Sequence, residues 1–238
     1  MRKKRFNLFG SLAFRIILIA LLLYLLVSHF LVSTSRIESV SMSPTLKPAE
    51  RVVVSSLVYG PRVPFSEARL PGIGSPQRGD LVVIRPPYVP DGTFIRRLFE
   101  PIAAFFTLQK ATLHRDLYGA RAGGSMVKRL IGMPGDTLLL KDFQAFIKPR
   151  GATQFVPEFE MLGSLLPPVK ASLPRGWDAS LPLSGNAADI VLGEDEYFVL
   201  GDNRQESSDS RSWGAISASR IQAKVIYRYW PPRSIGKP

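Results

Sequence analysis

Met126-Val-Lys128-Arg129-Leu-Ile-Gly132-Met-Pro134-Gly135-Asp136 reads as a short β-strand that runs into a turn rich in Gly and Pro. Strand alternation sends residues 128 and 129 to opposite faces. One of these two cations must therefore turn inward or be paired. The plain alternative is a solvated lysine beside an arginine, a common arrangement on edge strands. The same grammar recurs on both sides of the stretch. Arg51–Ser56, Asp80–Arg85, Thr137–Leu140, Tyr197–Leu200 and Ala223–Tyr229 are further short runs rich in β-branched, aliphatic or aromatic residues, separated by turn formers. With 20 Pro and 19 Gly in 238 residues, the chain beyond its first thirty residues is expected to be an all-β domain.

Those first residues have a different character. Arg2, Lys3, Lys4, Arg5 and Arg15 precede a run without formal charge from Ile16 to Val32. Seventeen residues make roughly 25 Å of helix, just enough to span a bilayer. The basic flank places the N-terminus in the cytoplasm and everything after Val32 outside. A cleavable secretory leader opens in the same way, but its apolar stretch is typically shorter, and Ser28–Arg36 offers no Ala-x-Ala site. The expected organisation is a basic cytoplasmic N-terminus over 1–15, a single transmembrane anchor over 16–32 and an outer domain over 33–238, with insertions near 86–124 and 143–193.

The formal charge of +12 comes from 31 Lys and Arg against 19 Asp and Glu. Five of these cations flank the span, where anionic lipid can meet them. The remainder are scattered, without the basic stripe interleaved with aromatics that nucleic-acid binding requires. The absence of cysteine excludes disulfides, thiolate metal sites, iron–sulfur clusters and thiol nucleophiles, and the two histidines, His29 and His114, exclude a His-rich metal site. Neither a metal nor an organic cofactor is implied. Phe94–Tyr118 alternates aromatic and basic residues near helical spacing, as a helix packed on the sheet does, or one lying on a membrane. Pro157–Pro182 reads as a long surface excursion.

Three more segments concentrate polar residues at punctuation points. Ser39-Val-Ser41-Met-Ser-Pro44-Thr-Leu46 taken alone is a polar linker leading into a strand. Gly201-Asp-Asn-Arg204-Gln-Glu-Ser207-Ser-Asp209-Ser-Arg211-Ser-Trp213-Gly214 taken alone is an Asx-rich turn. Arg78-Gly-Asp80-Leu-Val-Val-Ile-Arg85 is a turn and a strand. Together with the 126–136 stretch, and in this order behind an anchor, they resemble the motifs of the bacterial type I signal peptidases, membrane-bound serine proteases of family S26 that use a Ser–Lys dyad. The match covers about 40 residues, and the insertions lie outside it. Three positions depart from the family pattern: Val40 stands where Gly is common, Met126 where an aromatic is frequent, and Gln205-Glu206 where Asp-Asn is usual.

The resemblance implies a signal-peptidase-like catalytic domain of antiparallel sheets, with Ser41 as nucleophile and Lys128 as general base. A hydroxyl is a poor nucleophile until a base takes its proton. A lysine can serve only when neutral, and bringing its reference pKa of about 10.4 down far enough costs about 3 to 4 kcal/mol, which burial supplies. Arg129 is permanently charged and cannot replace it. By the same resemblance Ser39 and the Ser41 N–H form the oxyanion hole, Ser207 orients the Lys128 amine, Asp209 and Arg211 pair beneath the dyad, and Ile37, Met42, Leu46 and Val127 line the substrate pocket. The implied substrates are signal peptides of secretory preproteins, cut after small residues at the outer face of the cytoplasmic membrane. Two rivals stand beside this reading: a specialised serine–lysine processing peptidase, and a membrane-tethered β-rich binding module in which Ser41 and Lys128 are incidental.

Overall fold

The computed structural model describes residues 12–26, 32–61, 63, 68–89, 124–165 and 185–238. The Phe94–Tyr118 run, both histidines and most of Pro157–Pro182 lie outside the described residues. The body of the domain is two antiparallel sheets. The larger is built from β1 (Ser33–Arg36), β2 (Arg51–Ser55), β3 (Leu81–Ile84), β4 (Met126–Gly132), β9 (Glu196–Leu200), β10 (Ile216–Ser217) and β11 (Ile221–Trp230), in the order β1-β2-β11-β3-β4-β9-β10. The smaller holds β5 (Thr137–Lys141), β6 (Gln144–Lys148), β7 (Val156–Pro157) and β8 (Ala187–Val191), in the order β7-β6-β5-β8.

All six predicted runs are strands, and the central position of β4 decides what its two cations do. It pairs with β3 on one side, Lys128 opposite Val82 and Arg129 opposite Leu81, and with β9 on the other. Lys128 through Gly132 are all buried, which marks a strand covered on both faces. The solvated edge-strand alternative therefore does not apply: Lys128 and Arg129 are each only 2% exposed.

The segment set aside as an insertion near 143–193 supplies three of the four strands of the smaller sheet. One face of that sheet packs Leu138, Leu140, Ala145 and Ile147 against Ile131, Phe198 and Leu200 of the larger sheet. The chain passes between the sheets through the Gly132–Asp136 turn. Asp136 fastens that turn, accepting the Met133 N–H at 2.6 Å and pairing with Arg78 at 2.9 Å. Gly132 has no room for a side chain. A Cβ there would stand 2.6 Å from Leu192 Cδ1, 2.7 Å from Leu138 Cδ1 and 2.8 Å from Phe198 Cβ.

In the N-terminal region the described residues form a helix over part of the expected anchor. Helix α1 runs Leu12–Leu26, about 22 Å long. It takes in Arg15 and overlaps the expected 16–32 span over residues 16–26, and at both ends it meets residues outside those described; Val32 leads into β1, whose Ser33 pairs with Val54. Among the described residues no helix is long and apolar enough to cross a membrane. The strand β1, with its Ser-Thr-Ser-Arg sequence, carries no apolar alternation; its pairing with β2 is what makes it a strand. Substituting Gly132→Val should overpack the junction between the sheets and cost about 1–3 kcal/mol. Chemical denaturation of the full chain in detergent measures this, and an unchanged midpoint would mean the junction is looser than described.

Candidate active site

The Ser41–Leu46 turn stands on its own apolar residues. Met42 and Leu46 are buried in a cluster with Ile37, Val52, Val54, Leu81, Ala223 and Val225, and Val127 packs against its margin. Bonds from the Ser43 N–H to the Val40 carbonyl at 2.9 Å and from the Leu46 N–H to the Met42 carbonyl at 2.8 Å close the turn. The flanking chain is drawn together where the Ile37 N–H meets the Glu50 carbonyl at 2.9 Å. Ser41 is thereby held at the rim of the cluster, 7% exposed. Its carbonyl is fixed from the far loop by the Asn203 N–H at 3.0 Å.

Lys128 reaches the same point from β4. Its Nζ donates to Ser41 Oγ at 2.8 Å, with the whole bond buried. Burial pushes its pKa down from 10.5 to about 8; nearby Asp209 and Asp202 pull it up, while Arg211 pushes it further down. Because the folded value lies below the unfolded one, protonated Lys128 costs the fold on the order of 3 kcal/mol below pH 8, and the cost fades as pH rises from 8 to 10.5. Ser39 Oγ lies 3.1 Å from Ser41 Oγ, so a second hydroxyl borders the one that meets Lys128. A hydroxyl bonded to an amine that sheds its proton this readily can transfer a proton to it.

Arg129, on the opposite face of β4, is neutralised by Asp202. Its Nε donates to Oδ1 at 2.8 Å and its Nη2 to Oδ2 at 2.7 Å, a two-pronged pair inside the protein. The Thr45 hydroxyl donates to the same carboxylate at 2.5 Å. One buried pair thus ties β4, the 201–214 loop and the Ser41–Leu46 turn together. Asp209 and Arg211 also pair as expected, Nε to Oδ1 at 2.8 Å, and the Gly201 N–H donates to Asp209 Oδ2 at 2.9 Å. Burial raises the Asp209 carboxyl, but its bonds and charge contact with Arg211, helped by the Gly201 N–H and Ser207, outweigh burial and hold it below the usual carboxylate range. Ser207 is the exception among the expected contacts. It is buried, yet among the described residues its Oγ has no partner within hydrogen-bonding geometry, Lys128 included. Its influence on Asp209 is that of a near neighbour.

The residues named as pocket lining are brought together, but Ile37, Met42 and Leu46 form the packed floor of the cluster, with Val127 half-buried at its margin. From the sequence, one of Lys128 and Arg129 is expected to turn inward or be paired, but no partner is named there; Asp202, held in turn by Thr45, is the partner of Arg129. Two like-charged neighbours in an otherwise apolar strand were the available signal for a buried carboxylate partner. Gly201 is required by closeness: a Cβ on it would lie 2.5 Å from both the Ser41 carbonyl oxygen and Ser207 Cβ.

Residues 11–230 match the family model described as signal peptidase, peptidase S26. Signal peptidase I of Bacillus licheniformis is 28% identical over 222 residues, covering 93% of this chain and 89% of that one. Signal peptidase I of Pseudomonas aeruginosa is 29% identical over 224 residues, covering 89% of this chain and 70% of that one. The crystal structure of a signal peptidase I from Enterococcus faecalis V583 aligns with 65% of this chain and 99% of its own at 22% identity, with a TM-score of 0.34, too loose a superposition to add to the fold.

Asp202→Asn should leave the Arg129 guanidinium buried without a counter-charge and cost about 3–5 kcal/mol. A denaturation midpoint equal to that of the unaltered chain would show that the pair is not the tie described.

Proposed function

Because the chain belongs to the signal peptidase family, peptidase S26, we propose that it is a membrane-bound serine endopeptidase that removes signal peptides from exported preproteins after small residues. The observation that carries the reading is the buried 2.8 Å contact between Lys128 Nζ and Ser41 Oγ. Neutral Lys128 takes the Ser41 proton as Oγ attacks the scissile carbonyl carbon. The Ser41 N–H and the Ser39 hydroxyl receive the developing oxyanion. The proton then passes from Lys128 to the leaving amine, and the resulting ester is hydrolysed by a water that Lys128 activates in turn. The Asp209–Arg211 pair supports the loop under the dyad. Val127 offers the substrate apolar surface at the margin of the cluster, and Ile37, Met42 and Leu46 pack beneath it, leaving room for small side chains beside the scissile bond.

Membrane attachment rests on α1. Leu12, Ile16, Ile19, Leu22 and Leu23 are all more than half exposed, and a helix apolar on every side beyond Arg15 suits lipid or a protein core. The basic residues before it place the N-terminus in the cytoplasm and the catalytic domain on the outer face, with one crossing. Ser41 is the ninth residue after Val32, which keeps the nucleophile within roughly 30 Å of the bilayer surface, where a signal peptide emerges.

In a preprotein cleavage assay, Ser41→Ala should leave no measurable processing, and Lys128→Ala should lose about 10²–10⁴-fold in rate. Lys128→Arg should be equally impaired, because a guanidinium keeps its proton. The neutral amine is the active form and grows as pH rises, so kcat/KM should climb through an apparent pKa of about 8. A flat profile from pH 6 to 10, or an active Lys128→Arg variant, would contradict the mechanism.

A further inference from the structure

Glu158 belongs to none of the four motifs and to no step of the proposed reaction, yet its side chain is buried against the reactive loop. It opens the short helix Glu158–Leu162 behind the smaller sheet and is 1% exposed. Its Oε1 accepts from Arg204 Nη1 at 2.6 Å and from the Ala145 N–H at 3.0 Å, and its Oε2 accepts from Arg204 Nη2 at 2.8 Å. Arg204 carries the contact onward. Its Nε donates to the Gly201 carbonyl at 3.0 Å, its Nη1 to the Phe143 carbonyl at 2.6 Å, and its own carbonyl accepts from Arg211 Nη1 at 2.7 Å.

Asp202, Asn203 and Arg204 are consecutive, and each holds a different part of the site. Asp202 takes Arg129 and Thr45, the Asn203 N–H takes the Ser41 carbonyl, and Arg204 takes Glu158. We propose that Glu158 is a positioning residue for the peptidase reaction. Through Arg204 it sets where the Gly201–Arg204 segment sits, and through the Asn203–Ser41 bond it sets how the Ser41 hydroxyl meets the Lys128 amine. Burying an ion pair adds little net stability, because desolvation offsets the attraction. What a bidentate carboxylate–guanidinium contact does add is direction, and here the direction is imposed on the loop that carries the nucleophile's backbone partner. The catalytic consequence rests on the peptidase reading; the geometric one does not.

The test compares the full chain in detergent with Glu158→Gln, Glu158→Asp and, as a control for lost stability, Leu138→Ala in the core of the smaller sheet. Hydrogen exchange of the 201–209 loop and steady-state cleavage are read at a temperature where every variant is folded. Glu158→Gln should speed exchange in the loop about tenfold. It should lower kcat about 10- to 100-fold while KM stays within about twofold. Glu158→Asp, which keeps the charge but shortens the reach, should fall between Glu158→Gln and the unaltered chain, and Leu138→Ala should match the unaltered chain in both readouts. Unchanged loop exchange or unchanged kcat in Glu158→Gln overturns the proposal, as does an equal loss in Leu138→Ala. If Glu158→Gln does not fold, unchanged exchange and kcat in Glu158→Asp overturn it. A wild-type chain with a protected loop and no cleavage overturns the peptidase reading instead.

Discussion

The desolvation of one amine governs this structure. Lys128 lies mid-sheet on a strand covered on both faces, where water cannot stabilise its charge. The fold pays for this on the order of 3 kcal/mol whenever the amine is protonated, a sizeable fraction of the net stability of a domain. Two packed sheets with a shared apolar core offset it. The same burial that costs stability produces an amine able to accept a proton near neutral pH, so the penalty and the reactivity are one physical effect.

The charged groups around Lys128 and Ser41 are arranged so as not to undo this. Arg129 is paired with Asp202, Arg211 with Asp209 and Arg204 with Glu158, three cations against three anions, all of them inside the protein. Left alone, Asp209 or Asp202 would pull the lysine back toward its protonated form. Each instead has an arginine on it, and Arg211 itself pushes Lys128 down. Burial is consequently the largest influence on the amine. The pairs also carry the geometry: Asp202 joins β4 to the Ser41–Leu46 turn, and Asp209 fixes Gly201, whose lack of a side chain lets the loop close on the Ser41 carbonyl.

The strands were legible because their β-branched runs are bounded by turn formers, and 126–136 showed at once that two neighbouring cations had to be accommodated. How they are accommodated was not. Alternation places Lys128 and Arg129 on opposite faces but does not say that both faces are covered; that follows from pairing with β3 and β9, which are distant in sequence. Dyad and support residues were legible only through the resemblance, since a serine in a polar stretch has a bland reading of its own. Glu158 lay in a segment read as a surface excursion, and its partner Arg204 is 46 residues away. The β1 and β8 strands depend on tertiary pairing over propensity, and α1 takes in Arg15, which a count of uncharged residues leaves out.

The central claim is that Lys128 is an uncharged amine under working conditions. A chain carrying ¹³C at the lysine ε-carbons, with the Lys128 resonance assigned from its loss in Lys128→Arg, reports the protonation directly as pH is varied in detergent micelles. The account predicts a midpoint near 8 for Lys128, apart from the exposed lysines, which should titrate at about 10.4. A Lys128 resonance that titrates together with those lysines would contradict it.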